Sequence, residues 1–147
     1  MDGVRLTTLG PRDVNALLAA SDLFDHPVRP EWAQRFLSTD GHHLVLAQDA
    51  LGRPIGFITG IEMTHPDKGT EMFVYELSVK ESAQRQGVGA RLVEAMRGIA
   101  VEQGCYGMWV ATAHDNEAAR HTYVGGGATE EEDQVVAVWD WREDAGS

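Results

Sequence analysis

The residues of this chain best arranged for chemistry lie where an extended run gives way to a helix. Phe73, Tyr75, Leu77 and Val79 alternate as in a strand, and Gln84-Arg85-Gln86-Gly87-Val88-Gly89 follows as a polar turn. Val88, Leu92, Val93, Met96, Ile99 and Ala100 then mark one stripe of an amphipathic helix. This order gathers unbonded backbone N–H groups, the positive end of a helix dipole and an arginine at one point. Such a point binds anions, phosphate above all. No Gly-Lys-Ser/Thr follows, so the turn is not a nucleotide P-loop. Leu92 stands where a dinucleotide fingerprint needs its third glycine, and no acid follows at the expected spacing. An ordinary strand-to-helix turn would use the same residue types, so the sequence downstream has to decide.

Downstream, Met108-Trp109-Val110-Ala111-Thr112 reads as another strand. Asn116-Glu117-Ala118-Ala119-Arg120-His121-Thr122-Tyr123 follows, and then Gly127. The Q/R-x-x-G-x-G/A turn and this N-x-x-A-x-x-x-Y-x-x-x-G segment, in this order, resemble the two CoA-contacting motifs of the GNAT acetyltransferases. The resemblance runs from about Leu44 to Trp141. Tyr75-Glu76-Leu77-Ser78-Val79 before Gln84-Arg85-Gln86-Gly87 is similar to the aminoglycoside 3-N-acetyltransferases of the first class. Leu9-Gly10-Pro11 and Asp22-Leu23-Phe24 also look like that group. Two departures lie on the acceptor side: Glu76 replaces an aspartate, and His114-Asp115-Asn116-Glu117 replaces an acidic run.

The resemblance implies the GNAT acyltransferase fold, an α/β architecture. Its central sheet is mixed and mostly antiparallel, helices cover both faces, and a splayed strand pair admits the pantetheine arm of acetyl-CoA. It implies a pyrophosphate loop of Gln84, Arg85, Gln86, Gly87, Val88, Gly89 and Ala90, with glycines that let the ligand approach backbone amides. Backbone groups of Leu77, Ser78 and Val79 would pair with pantetheine, and one N–H would serve the oxyanion. Asn116, Ala119 and Tyr123 complete the CoA side, although Asn116 equally suits a helix N-cap.

Acetyl transfer to an amine needs a base to take the ammonium proton, a donor for the oxyanion and an acid for the leaving thiolate. Glu76 is the expected base: Tyr75, Leu77 and Val79 share one strand face, Glu76 and Ser78 point to the other, and the resemblance implies that this position faces the acceptor; a solvent-exposed strand carboxylate is the alternative. Tyr123 is the expected acid, or else a tyrosine packed on the sheet. Its ordinary pKa of about 10 keeps it protonated. Asp25, Glu31, Glu62, Asp115 and Glu76 itself are the candidates for binding ammonium groups of the acceptor. A polycationic aminoglycoside amine is the leading substrate. Another small amine, a polyamine or a protein N-terminus is the alternative, and a non-enzymatic CoA-binding regulatory domain a third reading. Glu76 and Tyr123 occurring together argue against the last. The resemblance also implies a homodimer with Trp139 and Trp141 at its interface.

The elements that must position these groups are legible as a series. Strands are expected at Val4 to Thr8, His43 to Gln48, Ile55 to Glu62, the run ending at Val79, Met108 to Thr112 and Gln134 to Trp141. One more short strand is expected near Ala128. Helices are expected over Pro11 to Ser21, Glu31 to Leu37, the stretch after Gly87, and the segment after Asn116. Asp49 to Gly52 and His65 to Gly69 read as turns. At 147 residues the chain suits one domain, 1–142, with a short tail at 143–147.

A net charge of −11 argues against a nucleic-acid partner. It would attract a polycation, or serve solubility alone. No apolar run approaches the ~18 residues of a membrane span, and no signal-peptide pattern opens the chain, so a cytoplasmic protein is expected. The single Cys105 excludes an internal disulfide and a cysteine metal cluster. The six histidines show no ligand spacing, so no metal is expected.

Overall fold

Alternation in the first half of the chain becomes an antiparallel meander. In the computed structural model, which describes residues 3–142, β1 (Arg5–Thr8) pairs with β2 (His42–Gln48), β2 with β3 (Pro54–His65), and β3 with β4 (Gly69–Val79). β5 (Met108–Val110) joins β4 in parallel, giving the sheet order β1-β2-β3-β4-β5. Two expected turns close the hairpins. Gly52 N–H bonds the Asp49 carbonyl at 2.9 Å, and the β3–β4 hairpin turns between His65 and Gly69.

Two helices, α1 (Val14–Ala19) and α2 (Pro30–Ser38), lie on one face with a single 3-10 turn, Ser21–Leu23, between them. Their Leu17, Ala33 and Leu37 bury Leu44, Leu46 and Phe57 of the sheet. α1 starts at Val14 rather than at Pro11. Asp13 ends the preceding turn by accepting the Gly10 N–H at 2.7 Å. The other face carries α3 (Val88–Glu102), whose Val88, Leu92, Val93 and Met96 pack on Val45, Ile58, Met72 and Val74. The stripe read in the sequence is therefore a core stripe. α4 (Glu117–Gly125) packs beside α3.

A β-bulge decides which side chains face where on β4. Thr59 is opposite Glu76 and Gly60 opposite Val74, so Tyr75 has no partner on β3. Before the bulge, Met72 and Val74 face α3; after it, Leu77 and Val79 do. The single alternation expected for Phe73, Tyr75, Leu77 and Val79 is thus broken. The Tyr75 ring lies 5.9 Å from that of Phe73 and is mostly exposed. Glu76 stays on the face opposite Leu77, and its N–H is taken by the Thr59 hydroxyl at 3.1 Å.

The last third departs further from expectation. Gln134 to Trp141 forms no strand, and none forms near Ala128. Val135, Val136, Val138, Trp139 and Trp141 are all largely exposed. A strand apolar on both faces needs a ladder partner and cover on both sides, and β5 offers an edge of only three residues. Glu130 is instead held by Arg120 of α4 through a two-pronged ion pair at 2.8 and 2.9 Å. The tail expected at 143–147 lies outside the described residues.

Candidate functional site

The site begins where β4 and β5 part. Their parallel pairing covers Met72–Val74 against Met108–Val110 and stops at the bulge, leaving Glu76 to Val79 without a partner on the β5 side. A cleft of about 260 Å³ occupies the gap. β4 lines it with Tyr75, Glu76, Leu77 and Ser78; Ala111 and Thr112 line it beyond β5. Asn116, Ala119 and Tyr123 close it from α4, and Leu23, Asp25 and Phe57 from the opposite side.

At the β4 end of α3, Gly87 takes a left-handed conformation, φ +82°, and serves as the N-cap without a side chain. The first turn of α3 thus opens with bare amides, as an anion cradle requires. Arg85 also lies in the left-handed region, φ +64°, which few non-glycine residues occupy. The Gln84 amide donates to the Val79 carbonyl at 2.9 Å and folds the turn back on the strand. A Cβ at Gly89 would lie in ordinary contact with Thr122 and Val79, at 3.6 and 3.7 Å.

Glu76 is half-buried, and its carboxyl titrates above the usual carboxylate range. Burial is the main cause, and the negative charge of Asp25 adds to it. Tyr123 is likewise half-buried, and burial raises its phenol above its ordinary value. The two sides of the cleft therefore carry a carboxylate that accepts a proton readily and a hydroxyl that stays protonated.

The Asp25 loop is anchored at several points. The Ser78 hydroxyl donates to the Leu23 carbonyl at 2.8 Å, and Phe24 stacks on Phe57 with ring centroids 3.9 Å apart. The Ser21 hydroxyl accepts the Val28 N–H at 2.9 Å.

The expected acceptor acids separate into two groups. Asp25 and Glu76 share the cleft. Glu31 does not line it; its carboxylate is held by Arg29 at 2.8 Å on the exposed start of α2. Glu62 belongs to the α3 side, where it pairs with His43 at 2.6 Å and raises the Cys105 thiol, which burial raises more. Asp115 is exposed in the turn before α4 and is not among the lining residues. Asn116 does line the cleft, and it is also the cap of α4, its Oδ1 accepting the Ala119 N–H at 3.1 Å.

Sequence reasoning missed Leu23, Phe57, Tyr75, Ala111 and Thr112 as lining residues. Only the fold brings them to one cleft, and nothing in their local sequence marks them as lining it. Among the described residues no group of three or more His, Cys, Asp or Glu could hold a metal, and no helix is long and apolar enough to cross a membrane.

Residues 12–125 match a family model described as the Acetyltransferase (GNAT) family. No curated protein matches the sequence. Among solved structures, the chain is similar to an aminoglycoside acetyltransferase from an uncultured soil metagenomic sample, in complex with sisomicin. The TM-score is 0.82 at 21% identity, covering 95% of this chain and 96% of that one. It is also similar to the aminoglycoside N-acetyltransferase AAC(6')-Iy in complex with CoA, with TM-score 0.75, 19% identity and coverage of 93% and 94%. A ribosomal-protein-alanine N-acetyltransferase from Brucella melitensis biovar Abortus 2308 gives a TM-score of 0.73 at 17% identity, covering 92% and 99%. At these identities the likeness is one of fold.

Proposed function

The chain belongs to the GNAT acetyltransferase family, and from that premise we propose that it moves the acetyl group of acetyl-CoA onto an amine of a polycationic small molecule, the 3-amino group of an aminoglycoside. The observation that carries this reading is the shared cleft. Glu76 and Asp25 face one side of it, and Tyr123 and the open backbone of β4 face the other.

In this reading the acetyl-CoA pyrophosphate rests on the bare amides at Gly87 to Ala90, and the pantetheine arm takes the place beside β4 that β5 leaves. Glu76 accepts the proton of the incoming ammonium, directly or through water. Its raised affinity for protons suits that task. The neutral amine nitrogen attacks the thioester carbon, and an N–H among Leu77 to Val79 stabilises the oxyanion. As the C–S bond breaks, Tyr123 delivers its proton to the sulfur, and the second proton that the nitrogen sheds as the amide forms returns to Tyr123 through water. The products are the acetylated amine and free CoA, with no covalent acyl-enzyme. Asp25 keeps a second ammonium of the acceptor in place.

Regiochemistry rests on the likeness of Tyr75 to Val79 and of Gln84 to Gly87 to the 3-N-acetylating group. The sisomicin-bound neighbour supports a polyamine acceptor. The likeness to a ribosomal-protein-alanine acetyltransferase favours a peptide N-terminus as the second reading.

The test is an acceptor panel with acetyl-CoA and a free-thiol readout: sisomicin, linear polyamines, simple monoamines and an alanine-initiated peptide. Turnover of sisomicin, with the product acetylated at the 3-amino group by NMR, is expected. Turnover of the peptide alone would overturn the aminoglycoside reading and favour the second.

A further inference from the structure

Beyond the cleft, one part of the acceptor-side face has no cover. α1 and α2 bury the β2 and β3 positions of this face, but not the side chains that β4 and β5 present beyond Glu76. Those side chains are aromatic. Tyr75, which already lines the cleft beside Glu76, is 63% exposed. Its ring lies 5.9 Å from that of Phe73, and the Phe73 ring lies 4.3 Å from that of Trp109, which is 43% exposed. The order of the row follows from the backbone, because Phe73 and Trp109 are register partners across β4 and β5.

On β4, two residues before Phe73, the Glu71 carboxylate accepts from the Tyr106 hydroxyl at 3.0 Å and pairs with the His65 ring nitrogen at 3.0 Å.

We propose that Phe73, Tyr75 and Trp109 form a second acceptor subsite, a stacking floor for the body of a ring-built polycation whose reacting amine lies at Glu76. The inference rests on the amine-acetylating reading above and names what that reading leaves open, the part of the acceptor remote from the reacting nitrogen. Two features favour such an occupant. The row is continuous with the cleft through Tyr75. Aromatic faces also attract both the apolar faces of rings and nearby cations, and the carboxylates of Glu76 and Asp25 hold the cationic end. A one-ring diamine reaches only the cleft, whereas a multi-ring acceptor also lies along the row.

The experiment compares two acceptors with wild type and Trp109→Ala: sisomicin, which has several rings, and 2-deoxystreptamine, its central ring alone. The ratio of the sisomicin KM to the 2-deoxystreptamine KM should rise about fivefold to tenfold in the variant. Trp109→Phe, which keeps a ring but not the indole N–H, should recover most of the loss. Tyr75→Ala, a mostly exposed truncation whose fold is checked by circular dichroism, should move the ratio the same way. An unchanged ratio in both truncations would overturn the subsite, as would a sedimentation shift showing that Trp109→Ala dissociates paired copies of the chain. If wild type turns over neither aminoglycoside, the proposed function fails first and takes this inference with it; a working wild type with an unmoved ratio sinks the subsite alone.

Discussion

The two sides of the cleft are made of different material. The side proposed for CoA is mostly backbone: the left-handed Gly87, the uncapped first turn of α3 and the stretch of β4 that β5 leaves unpaired. The side proposed for the acceptor is mostly side chain: Glu76, Asp25 and the aromatic row. A backbone site tolerates most side-chain changes and is lost when its conformation or its charge is altered. A side-chain site can lose a whole chemical step with a single atom. In the proposed reading, a general cofactor grip and an adjustable acceptor grip share the same strand.

Glu76→Gln should separate the two sides most sharply. Turnover should fall by on the order of 10²–10⁴, while the acetyl-CoA dissociation constant measured by calorimetry stays near the wild-type value. The same variant should be more stable at pH 7. The folded protein binds the Glu76 proton more tightly than the unfolded chain does, so wild type loses stability as pH rises from the ordinary glutamate range through the raised folded value. An uncharged amide escapes that loss. The difference in melting temperature should therefore vanish in acid, below the ordinary glutamate pKa. Wild-type turnover in this variant would mean that the base lies elsewhere.

Ala90→Glu probes the other side with the next largest effect. Ala90 is exposed in the first turn of α3, where an added acid favours the helix dipole by about 0.3–1 kcal/mol. The fold should not suffer, yet the new charge opposes any pyrophosphate on the same amides. The KM for acetyl-CoA should rise at least about tenfold, and the acceptor KM should move little. If both constants rise together, the two sides are not separable as described.

Asp25→Asn should give the smallest and most diagnostic change. Its charge helps hold the Glu76 carboxyl above its usual range, so its loss should move the acidic limb of the kcat/KM profile to lower pH. Diamine acceptors should bind about threefold more weakly, in keeping with one exposed ion pair, while monoamines should not. A limb that stays in place would show that burial alone sets the Glu76 value.

These differences also explain what could be read from the sequence. The turn into α3 was legible because a glycine before an amphipathic helix is a local signal, and Gly87 is its N-cap. Most strands and helices were legible through their period. The bulge at Tyr75 was not, since Phe73, Tyr75, Leu77 and Val79 alternate whether or not a residue is inserted. Glu31 and Glu62 seemed available because their partners, Arg29 and His43, are known only once distances are. Gln134 to Trp141 has the composition of a strand, but pairing is a property of two segments and the pattern describes only one.

The hydrogen bond from Ser78 to the Leu23 carbonyl links two parts of the cleft. Ser78 lies on the strand beside which acetyl-CoA would bind, and Leu23 lies two residues from Asp25. Whatever steadies the strand steadies the acceptor loop at no further entropic cost, and by reciprocity the loop returns the favour. The two substrates are then expected to bind cooperatively. Either substrate arriving first sets the site for the other, so the reaction would pass through a ternary complex, with dead-end CoA tightening the grip on an acceptor it cannot acetylate.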